Sequence, residues 1–141
     1  MLKYSYKKPT KSLTLPWKEN MREDEHATLF AQWLRSNWYK FHHIANEKGT
    51  SWKYAMLAQM KKKRLGMSKG FPDYCIILKR WSLLFIELKK ERGKKWWLNG
   101  SSISPEQECW IQDLHRLNNV GAFFAHGVEE AKEIVTREEK S

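Results

Sequence analysis

The chain has few of the residues that build disulfide or zinc frameworks. It has only two cysteines, and neither a Cys-x-x-Cys motif nor zinc-finger spacing occurs. Two cysteines do not make a disulfide framework, so we expect Cys75 in a strand and Cys109 in a helix to be buried thiols. Small folds that depend on disulfides or structural zinc are therefore excluded.

Long apolar segments are also missing. No run of 18 apolar residues occurs, and the N-terminal sequence lacks the apolar core of a signal peptide. We therefore expect a soluble, intracellular protein that is not secreted and has no membrane partner.

Acidic residues are scarce relative to basic ones. The sequence has 26 Lys and Arg against 16 Asp and Glu, a formal net charge of +10. An excess of this size is typical of proteins that bind polyanions, and it favours nucleic acid over a membrane surface. The length of 141 residues suits one domain with a real hydrophobic core.

Apolar periodicity and turn residues predict a mixed α/β domain. Residues 1–20 predict an extended basic arm, residues 21–137 the domain, and residues 138–141 a charged tail. The predicted helices cover residues 23–39, 52–65, 105–121 and 128–137, and the predicted strands cover 41–45, 74–78, 83–86 and 122–125. This order predicts one central four-stranded mixed sheet flanked by helices.

Charged residues lie at one end of the predicted hairpin. Asp73 precedes its first apolar strand, and Glu87 closes the second. A three-residue loop at 79–81 would oppose Asp73 to Glu87 and place Lys89 on the same face. A two-residue loop would instead oppose Asp73 to Leu88. Adjacent carboxylates repel unless a cation neutralises them, and such a pair can hold Mg²⁺. The alternative for Glu87 and Lys89 is an ordinary ion pair.

Ser104-Pro105-Glu106-Gln107 predicts the start of a helix. Ser104 suits the N-cap, Pro105 the first helical position, and Gln107 the second half of a capping box. Gln107 therefore has two interpretations: it caps the helix, or it contributes to a site.

Glu25 also has two interpretations. It shares helical spacing with Leu29 and Trp33, which predicts that its carboxylate lies on the apolar face of the first helix. A buried carboxylate needs a partner or a metal. Alternatively, Glu25 is one of three acids that favour the start of a helix through its dipole.

Four features in this order carry a family resemblance: Glu25, Gly70-Phe71-Pro72-Asp73, Glu87-Leu88-Lys89 and Ser104-Pro105-Glu106-Gln107. Together they resemble the PD-(D/E)xK nuclease superfamily, specifically its virus-type replication-repair nuclease (VRR-NUC) branch, over residues 22–136. That branch includes small stand-alone phage proteins and the catalytic domain of a Fanconi-anaemia-associated nuclease. Phe71 stands where the family usually has an aliphatic residue. The resemblance implies a PD-(D/E)xK nuclease-like fold and, for a phage-encoded member, location in the cytoplasm of a bacterial host.

The resemblance also implies roles for individual residues. Asp73 and Glu87 would bind Mg²⁺ or Mn²⁺ directly with the Leu88 backbone carbonyl, and these are ligands that both ions accept. Glu25 would reach the metal through water. Lys89 would orient or deprotonate the attacking water.

Gln107 would contact that water, the lysine or the phosphate. Basic residues would hold the DNA backbone: Lys61, Lys62, Lys63, Arg64, Lys69, Lys90, Arg92, Lys94 and Lys95. The alternative for residues 61–64 is a solvated helix end, where cations also suit the dipole.

The expected function is a Mg²⁺- or Mn²⁺-dependent endodeoxyribonuclease. No recognition helix or zinc module is evident in the sequence, so we expect selectivity for branched DNA, such as four-way (Holliday) junctions, rather than for base sequence. Cutting two symmetric strands requires a homodimer, because one chain offers one site. The alternatives are a non-catalytic DNA-binding module with this fold, or a nuclease acting on flaps, linear DNA or RNA.

Overall fold

The centre of the fold is a four-stranded mixed sheet, as predicted. The computed structural model describes residues 21–44, 52–91 and 103–141. Its strands are β1 (Lys40–His43), β2 (Tyr74–Ile77), β3 (Leu83–Lys89) and β4 (Val120–His126). They lie side by side in chain order; β1, β2 and β3 are antiparallel neighbours, whereas β3 and β4 are parallel.

Four helices complete the described part of the chain, and each was predicted. They are α1 (Glu23–Ser36), α2 (Trp52–Arg64), α3 (Pro105–His115) and α4 (Val128–Lys140). The third helix ends earlier than predicted because the chain must turn into β4 at Val120. The predicted charged tail is helical through Lys140, and the predicted arm at residues 1–20 lies outside the described residues.

The two faces of the sheet carry different layers. Alternate side chains of β2 and β3, including Tyr74, Ile76 and Leu84, form the main core with α1 and α4. The intervening side chains form a smaller cluster in which Phe85 packs with Ile111 of α3. Because side chains alternate along a strand, residues 73, 87 and 89 belong to the α3 side of the sheet.

The packed helices begin at one end of the sheet and finish at the other. His26 in the first turn of α1 accepts a hydrogen bond from Val128 N at the start of α4, at 3.1 Å. At the opposite end, Lys79 N donates to Glu139 near the end of α4, at 2.8 Å. We call the end that contains Asp73 and the ends of β3 and β4 the site end, and the end that contains the β2–β3 turn the distal end.

The packing of α1 differs from the prediction. Its buried residues are His26, Phe30 and Leu34, whereas Leu29 is 41% exposed. The prediction that Glu25 lies on the apolar face is therefore wrong. A histidine occupies the core position instead: its Nδ1 accepts from Val128 N, and burial lowers its pKa and keeps the ring neutral.

The prediction that both cysteines are buried is also wrong. Cys109 is exposed rather than buried, and Cys75 is only half-buried. Leu117 lies beyond the end of α3 and is 55% exposed. The helix directs Ile111 into the core, and Cys109 lies two residues away, on the other side of the helical turn.

The helix α2 stands apart from these layers. Within residues 21–44, 52–91 and 103–141 it packs against no other helix or strand. Its apolar side chains are correspondingly exposed, among them Met56, Leu57 and Met60. None of the described helices is long and apolar enough to cross a membrane.

Gly70 is expected to tolerate alanine much less well than Gly66. Both have positive φ angles, +82° and +84°, but a Cβ at Gly70 would lie 2.6 Å from Gln107 N, whereas Gly66 has open space. Each alanine meets left-handed backbone strain of about 1–2 kcal/mol, and only Gly70→Ala must also displace the start of α3. We expect Gly70→Ala to lose roughly 2 kcal/mol more unfolding free energy than Gly66→Ala in urea titrations. Equal losses would show that this close contact is unimportant.

Candidate active site

The hairpin register brings the three predicted residues to one face. Tyr74 pairs with Ile86 and Cys75 with Phe85, so the next opposed positions are 73 and 87. The loop has the three residues predicted, because Leu78 N donates to Ser82 O at 2.9 Å. The predicted register is confirmed, and the alternative that opposes Asp73 to Leu88 is wrong.

Asp73 is held by both neighbouring strands. Its Oδ2 accepts a hydrogen bond from Leu88 N of β3 at 3.1 Å. On the other side, its backbone carbonyl accepts from Ile44 N, just after β1, at 2.6 Å. The carboxylate is thus fixed in a half-buried position at the site end.

Glu87 and Lys89 form a buried ion pair on this face. Lys89 Nζ lies 3.2 Å from Glu87 Oε1, and the two side chains are 10% and 4% exposed. Lysine and glutamate are rarely buried this deeply unless they are paired. The alternative interpretation was an ordinary solvated ion pair at the surface, which is weak. The burial of this pair contradicts that interpretation.

Gln107 joins the ion pair to the start of α3. Its Nε2 donates to Glu87 Oε1, and its Oε1 accepts from Lys89 Nζ at 2.9 Å. The same Oε1 accepts from Ser104 N at 3.1 Å, and Ser104 Oγ accepts from Gln107 N at 3.2 Å. Gln107 therefore completes the predicted capping box, which is confirmed, and it also contacts both members of the ion pair.

Burial and like charge disfavour ionisation of the two carboxylates. Burial raises the pKa of Asp73, and the hydrogen bond from Leu88 N only partly opposes this. Burial, followed by the charge of Asp73, raises the pKa of Glu87 to about 7, although Lys89 acts in the opposite direction. Because the folded pKa of Glu87 exceeds its usual value, ionisation costs stability as pH rises from about 4.5 to about 7.

These residues fit a divalent cation. Glu87 Oε2 is buried without a hydrogen-bond partner, and a carboxylate oxygen in that state favours a cation beside it. Among the described residues, no group of three or more His, Cys, Asp or Glu side chains converges as a metal site. The side-chain donors on this face are thus the two carboxylates, and the Leu88 carbonyl as third protein ligand remains a prediction.

Glu25 lies outside this network. It is the third residue of α1, and its Oε2 accepts from Arg22 N at 2.7 Å as part of a capping box. The acid of α1 that raises the pKa of both Asp73 and Glu87 is Glu23. Sequence reasoning missed Glu23 because three consecutive acids begin the helix, and only the rotation of α1 in the fold distinguishes them.

The predicted DNA-binding residues lie in three places. Residues 61–64 end α2, and Lys69 follows in the exposed loop before Gly70. Lys90 is exposed directly after β3. Arg92, Lys94 and Lys95 lie outside the described residues. Trp110 Nε1 of α3 donates to Lys69 O at 3.1 Å, so α3 anchors this loop beside the site.

An Asp at the start of one strand and a Glu-x-Lys on its neighbour define the PD-(D/E)xK class of nuclease-like folds. The family model of the VRR-NUC domain matches residues 12–129. The chain therefore belongs to the VRR-NUC family, and a nuclease-type function follows from that membership. The match begins within the predicted arm.

A solved structure described as "VRR_NUC domain protein" has the same fold. It is 22% identical, with a TM-score of 0.64, and the alignment covers 86% of this chain and 90% of that one. A comparison with curated proteins gave no match.

The substitution Asp73→Asn is expected to stabilise the metal-free protein. Asparagine can still accept the hydrogen bond from Leu88 N, but it removes a buried negative charge beside Glu87. We expect a gain of about 1 kcal/mol in unfolding free energy in EDTA at pH 8, as when a strained functional site is relieved. Asp113→Asn is the control, because that carboxylate is 70% exposed and its loss should change little. A lower stability of Asp73→Asn in EDTA would contradict the proposed repulsion.

Proposed function

We propose that this protein is a Mg²⁺- or Mn²⁺-dependent DNA endonuclease that hydrolyses phosphodiester bonds. The observation that carries the proposal is the buried pair Glu87 and Lys89, bridged by Gln107 and placed beside Asp73. Perturbed, clustered ionisable groups of this kind are typical of catalytic sites. Membership of a nuclease family supports the same conclusion.

Asp73 and Glu87 are the proposed metal ligands, with the Leu88 carbonyl as a third. The free Oε2 of Glu87 supports this assignment, as do the raised pKa values of both carboxyl groups. A bound Mg²⁺ or Mn²⁺ would supply charge neutralisation at the phosphate and a lower pKa of water. An acid of α1, either Glu25 or Glu23, would act on the metal through water.

Lys89 and Gln107 are proposed to position the attacking water. Gln107 Oε1 and Glu87 Oε1 hold Lys89 Nζ at 2.9 and 3.2 Å, so the ammonium group has a fixed place beside the carboxylates. From there it can orient a water, accept its proton when neutral, or offset phosphate charge. The amide of Gln107 is fixed in turn by the cap of α3.

The basic residues 61–64, 69, 90, 92, 94 and 95 are proposed to hold the DNA backbone. Phosphate contacts of this kind position a duplex without reading its bases. The helices α1, α3 and α4 pack on the sheet and are not free to enter a groove. We therefore propose selectivity for branched DNA, such as a four-way junction, rather than for sequence.

The proposed active unit is a homodimer. A twofold pair of chains would present two sites to a symmetric junction. The uncovered helix α2 supports an interface: Met56, Leu57 and Met60 are 53%, 56% and 62% exposed. A helix of 13 residues is marginally stable by itself, and a partner that covers its apolar side would stabilise it.

Asp73→Asn is expected to abolish cleavage while DNA binding is retained. Labelled duplex, flap, four-way junction and RNA are incubated with wild type and variant, with and without Mn²⁺. Removing a metal ligand should reduce the cleavage rate by at least about 100-fold, the upper range for outer-shell changes. Asp113→Asn should cleave like wild type.

The product pattern separates the alternatives. Metal-dependent cutting of the four-way junction in preference to the other substrates is the expected result. Binding without products in any metal would favour the non-catalytic module, and preferred cutting of flaps, linear DNA or RNA would contradict junction selectivity.

Met60→Lys is expected to weaken the proposed dimer. The new charge would enter the apolar side of α2, whereas Ala58→Lys adds the same charge on the opposite side of the helix. In sedimentation experiments we expect a dimeric wild type, a dimeric Ala58→Lys and a largely monomeric Met60→Lys. A monomeric wild type at working concentration, or equal effects of the two substitutions, would contradict the proposed interface.

A further inference from the structure

Two tryptophans stand at backbone positions that glycine normally occupies. Trp38 and Trp81 have φ angles of 63° and 62°, in the left-handed region that costs an L-residue about 1–2 kcal/mol. Their side chains are 91% and 89% exposed. Packing of the indoles therefore does not offset the backbone strain, and a local structural role does not explain them.

Trp38 forms the end of α1. Its N–H donates to Arg35 O at 3.1 Å, and Tyr39 N donates to Leu34 O at 3.0 Å. These two hydrogen bonds are the helix-ending motif whose left-handed residue is usually glycine and sometimes asparagine. The motif gives no preference for a large aromatic side chain at this position.

Trp81 closes the turn between β2 and β3. Its N–H donates to Leu78 O at 3.0 Å, in a three-residue hairpin loop. The left-handed residue of such a loop is usually glycine. The remaining non-glycine residue with positive φ in the described part of the chain is Asn119, at 59°, and asparagine tolerates this conformation.

The two tryptophans share the distal end of the sheet. Lys40 at the start of β1 pairs with Ile77 at the end of β2, and Lys79 Nζ lies 5.2 Å from the centre of the Tyr39 ring. Trp38 therefore lies beside the hairpin loop that carries Trp81. Two strand spacings separate their positions, roughly 10 Å, so one extended ligand can contact both indoles.

The charges around the indoles are mainly positive. Lys40, Lys79 and Arg80 are all exposed. The neighbouring acid, Glu139, already accepts a hydrogen bond from Lys79 N at 2.8 Å, and Arg80 Nη1 donates to Ser141 O at 2.7 Å. We call this surface the distal patch, and it comprises Trp38, Trp81, Lys40, Lys79 and Arg80.

We propose that the distal patch binds single-stranded nucleic acid. Exposed aromatic side chains among cations form stacking platforms for unpaired bases, while the cations contact phosphates. An apolar protein partner would favour a continuous apolar surface, whereas here the two indoles stand among charged side chains. This proposal requires only that the protein binds nucleic acid, and it does not require that the protein cleaves it.

The distal patch is separate from the candidate active site. Trp81 stands eight residues before Lys89, which ends β3, a separation of roughly 25 Å at the rise of a strand. A nucleic acid that reaches both must therefore extend well beyond the cleaved bond. The patch would hold an unpaired arm of a substrate away from the site.

The test compares Trp38→Gly, Trp81→Gly and the double variant with wild type. Full-length protein is titrated in EDTA, where no metal-dependent cleavage occurs, with fluorescein-labelled oligothymidylate and with blunt duplex. We expect the double variant to bind oligothymidylate roughly fivefold to hundredfold more weakly and duplex within about twofold of wild type. Its unfolding free energy should be unchanged or higher, because glycine removes the left-handed strain. Asn119→Gly is the control at the same end and should bind like wild type.

Other results would overturn the proposal. One such result is that the double variant binds oligothymidylate within about twofold of wild type. Another is that the double variant loses as much affinity for duplex as for oligothymidylate, or that Asn119→Gly loses as much affinity for oligothymidylate as the double variant does. A change in sedimentation with unchanged oligothymidylate affinity would assign the surface to a protein partner instead. The binding experiment does not depend on cleavage, so it still tests the distal patch if the protein has no nuclease activity. The two proposals therefore fail independently.

Discussion

The structure depends on one electrostatic constraint: two carboxylates, the half-buried Asp73 and the buried Glu87, lie at opposed positions of a hairpin. Burial disfavours the ionised form of each, and the charge of Asp73 adds to this cost at Glu87. The surrounding groups reduce this cost without removing it, because Leu88 N donates to one carboxylate and Lys89 pairs with the other. A buried oxygen of Glu87 remains without a hydrogen bond, a state that a bound cation would relieve.

The rest of the fold supports that arrangement. The helices α1, α3 and α4 begin at the site end, where the positive ends of their dipoles favour anions such as phosphate. Gly70 allows the start of α3 to approach closely, and this places Gln107 between Glu87 and Lys89. At the distal end helices finish rather than begin, and two tryptophans with strained backbone conformations are exposed.

Predictions from local sequence succeeded where neighbouring residues decide the structure. The capping box at Ser104 and the three-residue loop of the hairpin are both confirmed. Predictions that required the orientation of a helix in the fold were less successful. Glu25 was placed on a buried face, but His26 occupies that face and Glu25 caps the helix. Apolar spacing cannot identify a buried histidine, because its place depends on a hydrogen bond to Val128, which is 102 residues away.

The sequence by itself determined the order of elements and limited the hairpin to two registers, one of which places two carboxylates and a lysine on one face. These follow from turn length and from the two-residue period of a strand, which are local properties. Only the tertiary structure decided that Gln107 both caps α3 and contacts the ion pair, and that Glu23 is the acid of α1 whose charge raises the pKa of Asp73 and Glu87. It also decided that Trp38 and Trp81 lie at the same end of the sheet. These facts depend on how distant segments pack together, and neither composition nor spacing specifies that packing.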